Sequence, residues 1–298
     1  MSRNVHIGLL GFGEVGQTLA ADLRARGVEQ ISVWDLKLAD AASAVSQAAR
    51  EAQVRIGQAA RDIAQGVTVV ISAVTAAQDV AAAQSVAPHL DAGTYFLDLN
   101  SVSPGVKQQV AEIIAAAGGR YVEAAIMSPI HPKRIASPIL LGGPHAEAFA
   151  PLARELGFSG AEVFSNRIGQ ASAAKMCRSV VIKGMEALLT ESLLAARSYG
   201  VEETVIASLG NLFPAQDWHA LARYMMSRAL LHGVRRAEEM REVAATVREA
   251  GLDPWMSAAC AERQQWSARY RELANTEPLE TLLDELLKAV RGEREAQC

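Results

Sequence analysis

Lys175 lies in an otherwise apolar stretch, among Met176, Val180, Val181, Met185 and Leu188, and Arg178, Ser179, Lys183 and Glu186 follow it at spacings of 3, 4, 8 and 11. On an α-helix those intervals share one broad side. That side is either a solvated face with an ordinary Lys183/Glu186 pair or one wall of a site. A lysine amine whose proton is loosened by burial and by neighbouring cations can take a hydroxyl proton near neutral pH. Arg178 and Lys183 would supply that loosening and a counter-charge for a small anionic substrate. A second group of residues points to an anion of another kind. Gly11, Phe12, Gly13, Glu14, Val15 and Gly16 form Gly-x-Gly-x-x-Gly directly after an apolar run and at the opening of an amphipathic stretch. The first glycine permits a tight turn, the second lets the backbone approach a pyrophosphate, and the third lets the helix pack closely on the strand. The free N–H groups of the helix N-terminus would hold the pyrophosphate. Asp35 stands 19 residues after Gly16, at the end of a second strand-like run. A carboxylate there accepts from both adenosine ribose hydroxyls and repels a 2′-phosphate. Lys37, two residues on, tempers that repulsion. NAD is the expected cofactor, with NADP less favoured. Val74, which closes the run Val67–Val74, and Thr75 after it are further expected cofactor contacts.

Other polar groups carry weaker signals. His232–Arg241 (HGVRRAEEMR) puts His232, Arg236 and Glu239 on one helical side, either as a charged surface or as a source of anion-binding residues. His131, Lys133 and Arg134 sit in a proline-rich stretch that would make a stiff rim. Cys177, Cys260 and Cys298 are odd in number and widely spaced, which fits neither a zinc pattern nor a disulfide framework and suggests a reducing compartment. No metal site is expected.

The elements that must position these residues change in character along the 298-residue chain. In the first half, short apolar runs at Val5–Leu10, Ile31–Trp34, Val67–Val74, Tyr95–Leu99 and Tyr121–Ile126 alternate with Ala-rich helical stretches such as Glu14–Arg26. Strands alternating with helices imply right-handed crossovers and a mostly parallel, doubly wound sheet. The three prolines of Ser128–Pro138 restrict that segment to loop or edge strand. From about Ile168 strand-like runs vanish. Amphipathic patterns continue to the C-terminus, broken near Gly200, Asn211–Pro214, Gly251–Pro254 and Thr276–Pro278. The expected organisation is an α/β Rossmann domain over residues 1–165 and an all-α domain over residues 166–298. A net charge of −4 and the absence of a Lys/Arg block argue against nucleic acid as a partner, and no run of about 18 apolar residues offers a membrane span. The expected location is the cytoplasm.

Three further segments occur in a recognisable order: Asp98–Gly105 (DLNSVSPG), Tyr121–Pro129 (YVEAAIMSP) and Ile168–Gly184 (IGQASAAKMCRSVVIKG). With the glycine fingerprint they resemble the β-hydroxyacid dehydrogenase family, which includes 3-hydroxyisobutyrate and 6-phosphogluconate dehydrogenases. The resemblance covers the N-terminal domain and the first long helix, and the last hundred residues look more like a less-characterised phosphogluconate dehydrogenase-like subgroup. It implies that Lys175, in a motif reading Gly-x-Gly-x-x-x-Lys-x-x-Asn-Asn in the family, is the catalytic lysine. It also implies that Asn100 and Ser101, in a segment reading Asp-x-Ser-Thr-x-Ser-Pro, bind substrate, with Asn100 beside the nicotinamide as well. Departures are plain. Ala171 replaces the second glycine of the lysine motif, and Arg178 and Ser179 replace the two asparagines. The family's carboxylate-binding Ser-Gly-Gly turn is Met127-Ser128-Pro129, whose proline has no N–H to give. Arg178, Ser179 and Lys183 are therefore the expected substrate contacts along the helix.

The resulting expectation is hydride transfer between a nicotinamide cofactor and a small β-hydroxy acid, with Lys175 as acid/base. One alternative is oxidative decarboxylation of a sugar acid, with Glu186 as the nearby carboxylate. Another is an NAD-binding sensor or scaffold without turnover. A homodimer through the helical half is expected from the resemblance and from helices that are apolar on more than one side.

Overall fold

A computed structural model describes residues 5–212, 214 and 216–295; Cys298 lies outside the described residues. The chain divides into two compact units after Met176.

The first unit is built on an eight-stranded sheet. Its strands are β1 (His6–Leu10), β2 (Gln30–Trp34), β3 (Arg55–Ile56), β4 (Val69–Ser72), β5 (Tyr95–Asp98), β6 (Arg120–Ile126), β7 (Ile139–Gly142) and β8 (Ala161–Ser165). They lie in the order β3-β2-β1-β4-β5-β6-β7-β8. Every pairing is parallel except β6 with β7. Strands β1, β4, β5 and β6 are almost wholly buried because helices cover both faces. These are α1 (Glu14–Ala25), α2 (Ala44–Glu51), α3 (Asp79–Val86), α4 (Pro104–Ala116) and α5 (Ala146–Leu156). Two apolar clusters result, one around Ile7, Leu9, Phe12 and Leu97, the other around Leu10, Val70, Phe96 and Tyr121. The strand order reverses between β1 and β4, and doubly wound sheets take their ligands at the carboxyl ends of the strands beside such a reversal.

The runs expected to be strands are strands, with ends shifted by one or two residues: β1, β4 and β5 are shorter than expected, and β2 and β6 each begin one residue earlier. Strands β3, β7 and β8 go beyond the expectation. β3 has two residues, and β8 alternates half-buried and exposed positions at the sheet edge. Neither presents the continuous apolar run that marks the central strands. The segment 128–137 is loop with one 3-10 turn, as its prolines require, and it is stapled to α1. Asp22 accepts from Arg134 Nε at 2.8 Å and from the Ile135 backbone N–H at 3.0 Å.

The second unit is helical. Helix α6 (Gln170–Tyr199) runs on into it, followed by α7 (Glu202–Leu212), α8 (Trp218–Glu249), α9 (Trp255–Ser267), a 3-10 segment (Ala268–Asn275) and α10 (Leu279–Glu295). The breaks fall at the glycines and prolines noted in the sequence. Its core gathers Leu189, Leu193, Met226, Leu230, Leu282, Leu283 and Leu286. Among the described residues no helix is long and apolar enough to cross a membrane.

Candidate active site in the first unit

The glycine fingerprint forms the turn from β1 to α1. Gly11 has φ +95°, and a Cβ there would stand 2.5 Å from the Ala73 carbonyl oxygen, so only glycine fits. Gly16 is closed in as well, since a Cβ on it would meet the Gly11 carbonyl oxygen at 2.4 Å. Gly13 is the opposite case. It is exposed, and a Cβ on it would find no atom within 4 Å. Gly13 is also the N-cap of α1, which no side chain caps, and Glu14 and Val15 follow it in the first turn. Uncapped N–H groups facing open space are what a pyrophosphate needs. Phe12, by contrast, is fully buried in the sheet core and contributes through its backbone.

Asp35 lies half-buried at the end of β2. Its Oδ2 accepts from the Phe12 backbone N–H and its Oδ1 from that of Lys37, both at 2.8 Å. Each carboxylate oxygen keeps a lone pair for a ribose hydroxyl. The residues therefore fit a dinucleotide: a glycine cradle, an uncapped helix N-terminus and a fixed carboxylate lie at the strand ends beside the reversal.

Beyond β4, the Val74 backbone N–H donates to Asn100 Oδ1 at 2.7 Å, and Thr75 is exposed at the start of a 3-10 turn. Asn100 differs from its expected role as a substrate ligand. It is 4% exposed, and its Nδ2 donates to Ser72 Oγ at 2.8 Å and to Asp79 Oδ1 at 2.7 Å. An amide nitrogen has two protons, and both are committed. Asn100 ties the end of β5 to the end of β4 and so holds Val74 in place.

Beneath the segment that carries Ser101 lies a buried charge network. Asp98 pairs with Lys107 at 2.8 Å, accepts from Tyr121 Oη at 2.8 Å, and accepts from the Asn100 backbone N–H at 2.9 Å. Lys107 also donates to the Asp98 carbonyl at 3.1 Å. Burial, and then the Asp98 charge, push the Tyr121 phenol well above its usual range, so it stays a donor. Ser103 caps α4.

Lys175 is brought to this segment by the first turns of α6. Its Nζ donates to Ser101 Oγ at 2.5 Å. Two devices fix the start of that helix. Ser172 Oγ donates to the Val102 carbonyl. More telling is Glu123 on β6, which the sequence reading did not single out. Its fully buried carboxylate accepts from the Gly169 N–H at 2.7 Å and from the Ser172 N–H at 2.6 Å. Burial raises the Glu123 pKa, while Lys107 and these two N–H groups pull it back down. One acid inside the apolar run Tyr121–Ile126 was the available signal, because a buried carboxylate requires partners. Gly169 adopts φ +91°, with Pro104 3.1 Å from where a Cβ would sit. Ala171 is fully buried.

Farther along α6, Arg178 is exposed and Ser179 is buried. Lys183 departs from its expected role at the substrate, since its ammonium pairs with Glu239 at 2.5 Å. Glu186 is the carboxylate that the decarboxylation alternative places near Lys175. It is 1% exposed and is held by Arg236 and by Gln264 Nε2 at 3.1 Å. Burial raises its pKa, opposed first by Arg236. The Lys183/Glu186 pairing considered from the sequence is thus replaced by Lys183–Glu239 and Glu186–Arg236. Arg236 is buried, so His232–Arg241 is only in part a charged surface.

In the turn after β6, the Met127 N–H is spent on the Pro138 carbonyl at 2.9 Å, and Ser128 Oγ donates to the Pro129 carbonyl at 2.9 Å. His131 and Lys133 are exposed on the stapled rim. Cys177 is exposed, and Cys260 is buried with its Sγ 3.1 Å from the Lys183 carbonyl oxygen. Among the described residues, Glu203, His219 and Glu280 form the one cluster with metal-ligand spacing. Glu203 and Glu280 stand in the first turns of α7 and α10, where helix dipoles favour acidic side chains in any case, and His219 hydrogen-bonds Glu203 at 3.0 Å.

The site can be set beside known proteins. Residues 6–169 match the family model for the NAD binding domain of 6-phosphogluconate dehydrogenase, and residues 196–267 match a domain of unknown function. A conserved hypothetical protein from Sinorhizobium meliloti 1021 is 36% identical, with 95% of this chain and 96% of that one covered and a TM-score of 0.75. The 3-hydroxyisobutyrate dehydrogenase of Mycobacterium tuberculosis, solved with L-serine, shares the fold at 16% identity, with 95% and 99% covered and a TM-score of 0.71. The 2-(hydroxymethyl)glutarate dehydrogenase of Eubacterium barkeri is 23% identical over 216 residues, 70% of each chain. With the family model for the NAD binding domain of 6-phosphogluconate dehydrogenase spanning residues 6–169, more than half of the chain, this chain belongs to the β-hydroxyacid dehydrogenase family of nicotinamide-dependent oxidoreductases.

Proposed function

We propose that the protein transfers hydride between NAD and a small β-hydroxy acid, with Lys175 as the general acid/base. The observation that carries this reading is the hydrogen bond of Lys175 Nζ to Ser101 Oγ at 2.5 Å, on a helix start fixed by Glu123. The nicotinamide, when bound, supplies the hydride acceptor. In the oxidation direction the substrate hydroxyl sits against Lys175 Nζ, and the neutral amine takes its proton as the carbon–hydrogen bond breaks. Ser101 accepts from the amine and directs the nitrogen lone pair toward the substrate oxygen. Asn100 holds the Val74 backbone and Ser101 holds the amine, so the two polar positions of that segment divide the work of positioning. In the reverse direction the ammonium returns the proton to the forming alkoxide.

The substrate carboxylate is met differently from the usual turn, because at Met127-Ser128-Pro129 one backbone donor is spent and one does not exist. Exposed Arg178 is the cation on α6 left to meet that charge. NAD is favoured over NADP because the Asp35 carboxylate occupies the place of a 2′-phosphate, and Asp35→Ala should narrow the preference. Oxidation of a panel of β-hydroxy acids, followed by NADH absorbance in parallel with NADPH, tests the whole reading. Turnover of at least one such acid with higher kcat/KM for NAD is expected. Tight NAD binding with no turnover across the panel would favour a sensor instead. The protein acts as a homodimer through its helical half, which light scattering at micromolar concentration checks.

A further inference from the structure

The helical unit holds a group of cations that the chemistry at Lys175 does not use. Arg228, His232, Arg235 and Arg236 lie at i, i+4, i+7 and i+8 on α8, so they share one side of that helix. Arg271, from the 3-10 segment, lies near enough to act electrostatically on the His232 imidazole. The positive charge of this group is answered only in part. Arg236 pairs with Glu186, and Arg235 pairs with Glu239 at 2.8 Å, a carboxylate that Lys183 also shares. Among the described residues, Arg228 and Arg271 pair with no carboxylate.

The donors are also incompletely matched. Arg228 Nη1 donates to His232 Nε2 at 2.8 Å, so the second imidazole nitrogen carries the proton and is itself a donor. Burial, and then Arg228, lower the His232 pKa to about 4, which keeps the ring neutral at physiological pH. The Nε atoms of Arg228 and Arg236 are buried and have no hydrogen-bond partner, and Arg236 as a whole is 7% exposed. A buried donor left without an acceptor costs free energy. Guanidinium groups, an imidazole N–H and two unanswered charges together lack one thing, an acceptor of high charge density.

We propose that Arg228, His232, Arg235, Arg236 and Arg271 form a binding site for a dianionic oxyanion, the phosphoryl group of a small molecule or free phosphate. Two guanidinium groups without carboxylate partners match a dianion, whereas a monocarboxylate would leave one charge unanswered. The planar guanidinium fork suits tetrahedral oxyanions, which take parallel N–H donors on two oxygens. The site lies wholly within the helical unit and is independent of the role assigned to Lys175.

The test uses the full-length protein saturated with NAD, so that the pyrophosphate cradle at Gly13 is already occupied. Calorimetric titration and thermal unfolding are run with inorganic phosphate, with glycerol phosphate, and with sodium chloride at matched ionic strength. Phosphate should bind and raise Tm beyond the chloride control. Arg228→Gln/Arg271→Gln should weaken phosphate binding by at least about tenfold, since each loses a charge-assisted contact. Exposed Arg271→Gln alone, which does not threaten the core, should weaken it several-fold. Tighter binding of glycerol phosphate than of inorganic phosphate identifies an esterified ligand, and the reverse order identifies the free ion. Equal responses to phosphate and chloride, or Arg271→Gln and the double variant binding phosphate as tightly as the parent, would overturn the proposal.

Discussion

The two units use acids for different ends. In the sheet unit the carboxylates grip the backbone: Asp35 takes the N–H groups of Phe12 and Lys37, Asp98 that of Asn100, Asp22 that of Ile135, and Glu123 those of Gly169 and Ser172. In the helical unit, apart from caps such as Asp217, the acids pair with side chains: Glu186 with Arg236 and Gln264, Glu239 with Lys183 and Arg235, Asp284 with Arg197, and Glu191 with Arg263. The cause is backbone supply. Helices consume their own N–H groups, whereas the loops leaving a parallel sheet have N–H groups that need acceptors. Acids in the first unit therefore set the shape of loops, where ligands are held. Acids in the second join one helix to another.

The largest expected effects sharpen that contrast. Asp98→Leu and Glu186→Leu each strand a buried cation, Lys107 or Arg236, and each should cost about 3–5 kcal/mol in denaturant unfolding. Only Asp98→Leu should also lower turnover, because it alone frees the backbone leading to Ser101. Equal loss of turnover in both would break the comparison.

A smaller effect is expected at Glu123. Glu123→Gln keeps the shape but turns an N–H donor toward Gly169 or Ser172, so the start of α6 shifts. Misplacing Lys175 in this way should lower kcat by roughly 10- to 100-fold, with the NAD dissociation constant unchanged in fluorescence titration. An unaltered kcat would reduce Glu123 to a fold-stabilising residue.

The smallest effect is a pH dependence in the helical unit. The folded pKa of His232, about 4, lies below the unfolded value of 6.5. Its neutral form therefore favours folding above pH 6.5, and that contribution is lost as pH falls through 6.5 toward 4. His232→Asn should flatten the fall in stability across that window in urea unfolding, relative to the parent chain.

These contrasts also show which features a single chain makes legible. Strands β1, β4, β5 and β6 are buried on both faces, so each writes a mainly apolar run, interrupted in β6 by Glu123, and the fingerprint is written by sterics at Gly11 and Gly16. Strand β3 is too short to make a pattern. Strand β8 is a sheet edge, and β7 follows a proline-rich loop and reverses direction. Lys175 was singled out through its motif, but its hydrogen bond to Ser101 was not legible, because the two segments stand 74 residues apart. The spending of Asn100 on Ser72 and Asp79, and of Lys183 on Glu239, was not visible, because helical and strand periodicity gives a side but not the partner across it. Arg236 misled for the same reason: a charged helical face reads as solvated until another helix covers it.

The central claim is that Lys175 moves the proton, and its most direct test is the pH–rate profile of kcat/KM for the parent, Lys175→Ala and Lys175→Arg with one oxidisable β-hydroxy acid. The parent rate should rise with pH through a single ionisation, as the amine becomes neutral. Lys175→Ala should fall by a factor on the order of 10² to 10⁴ and lose that ionisation. Lys175→Arg should fail equally, because a guanidinium keeps its proton near neutral pH. A Lys175→Arg enzyme that retained most of the parent activity with the same pH profile would contradict the account, leaving Lys175 as an anion-binding residue and the proton acceptor elsewhere.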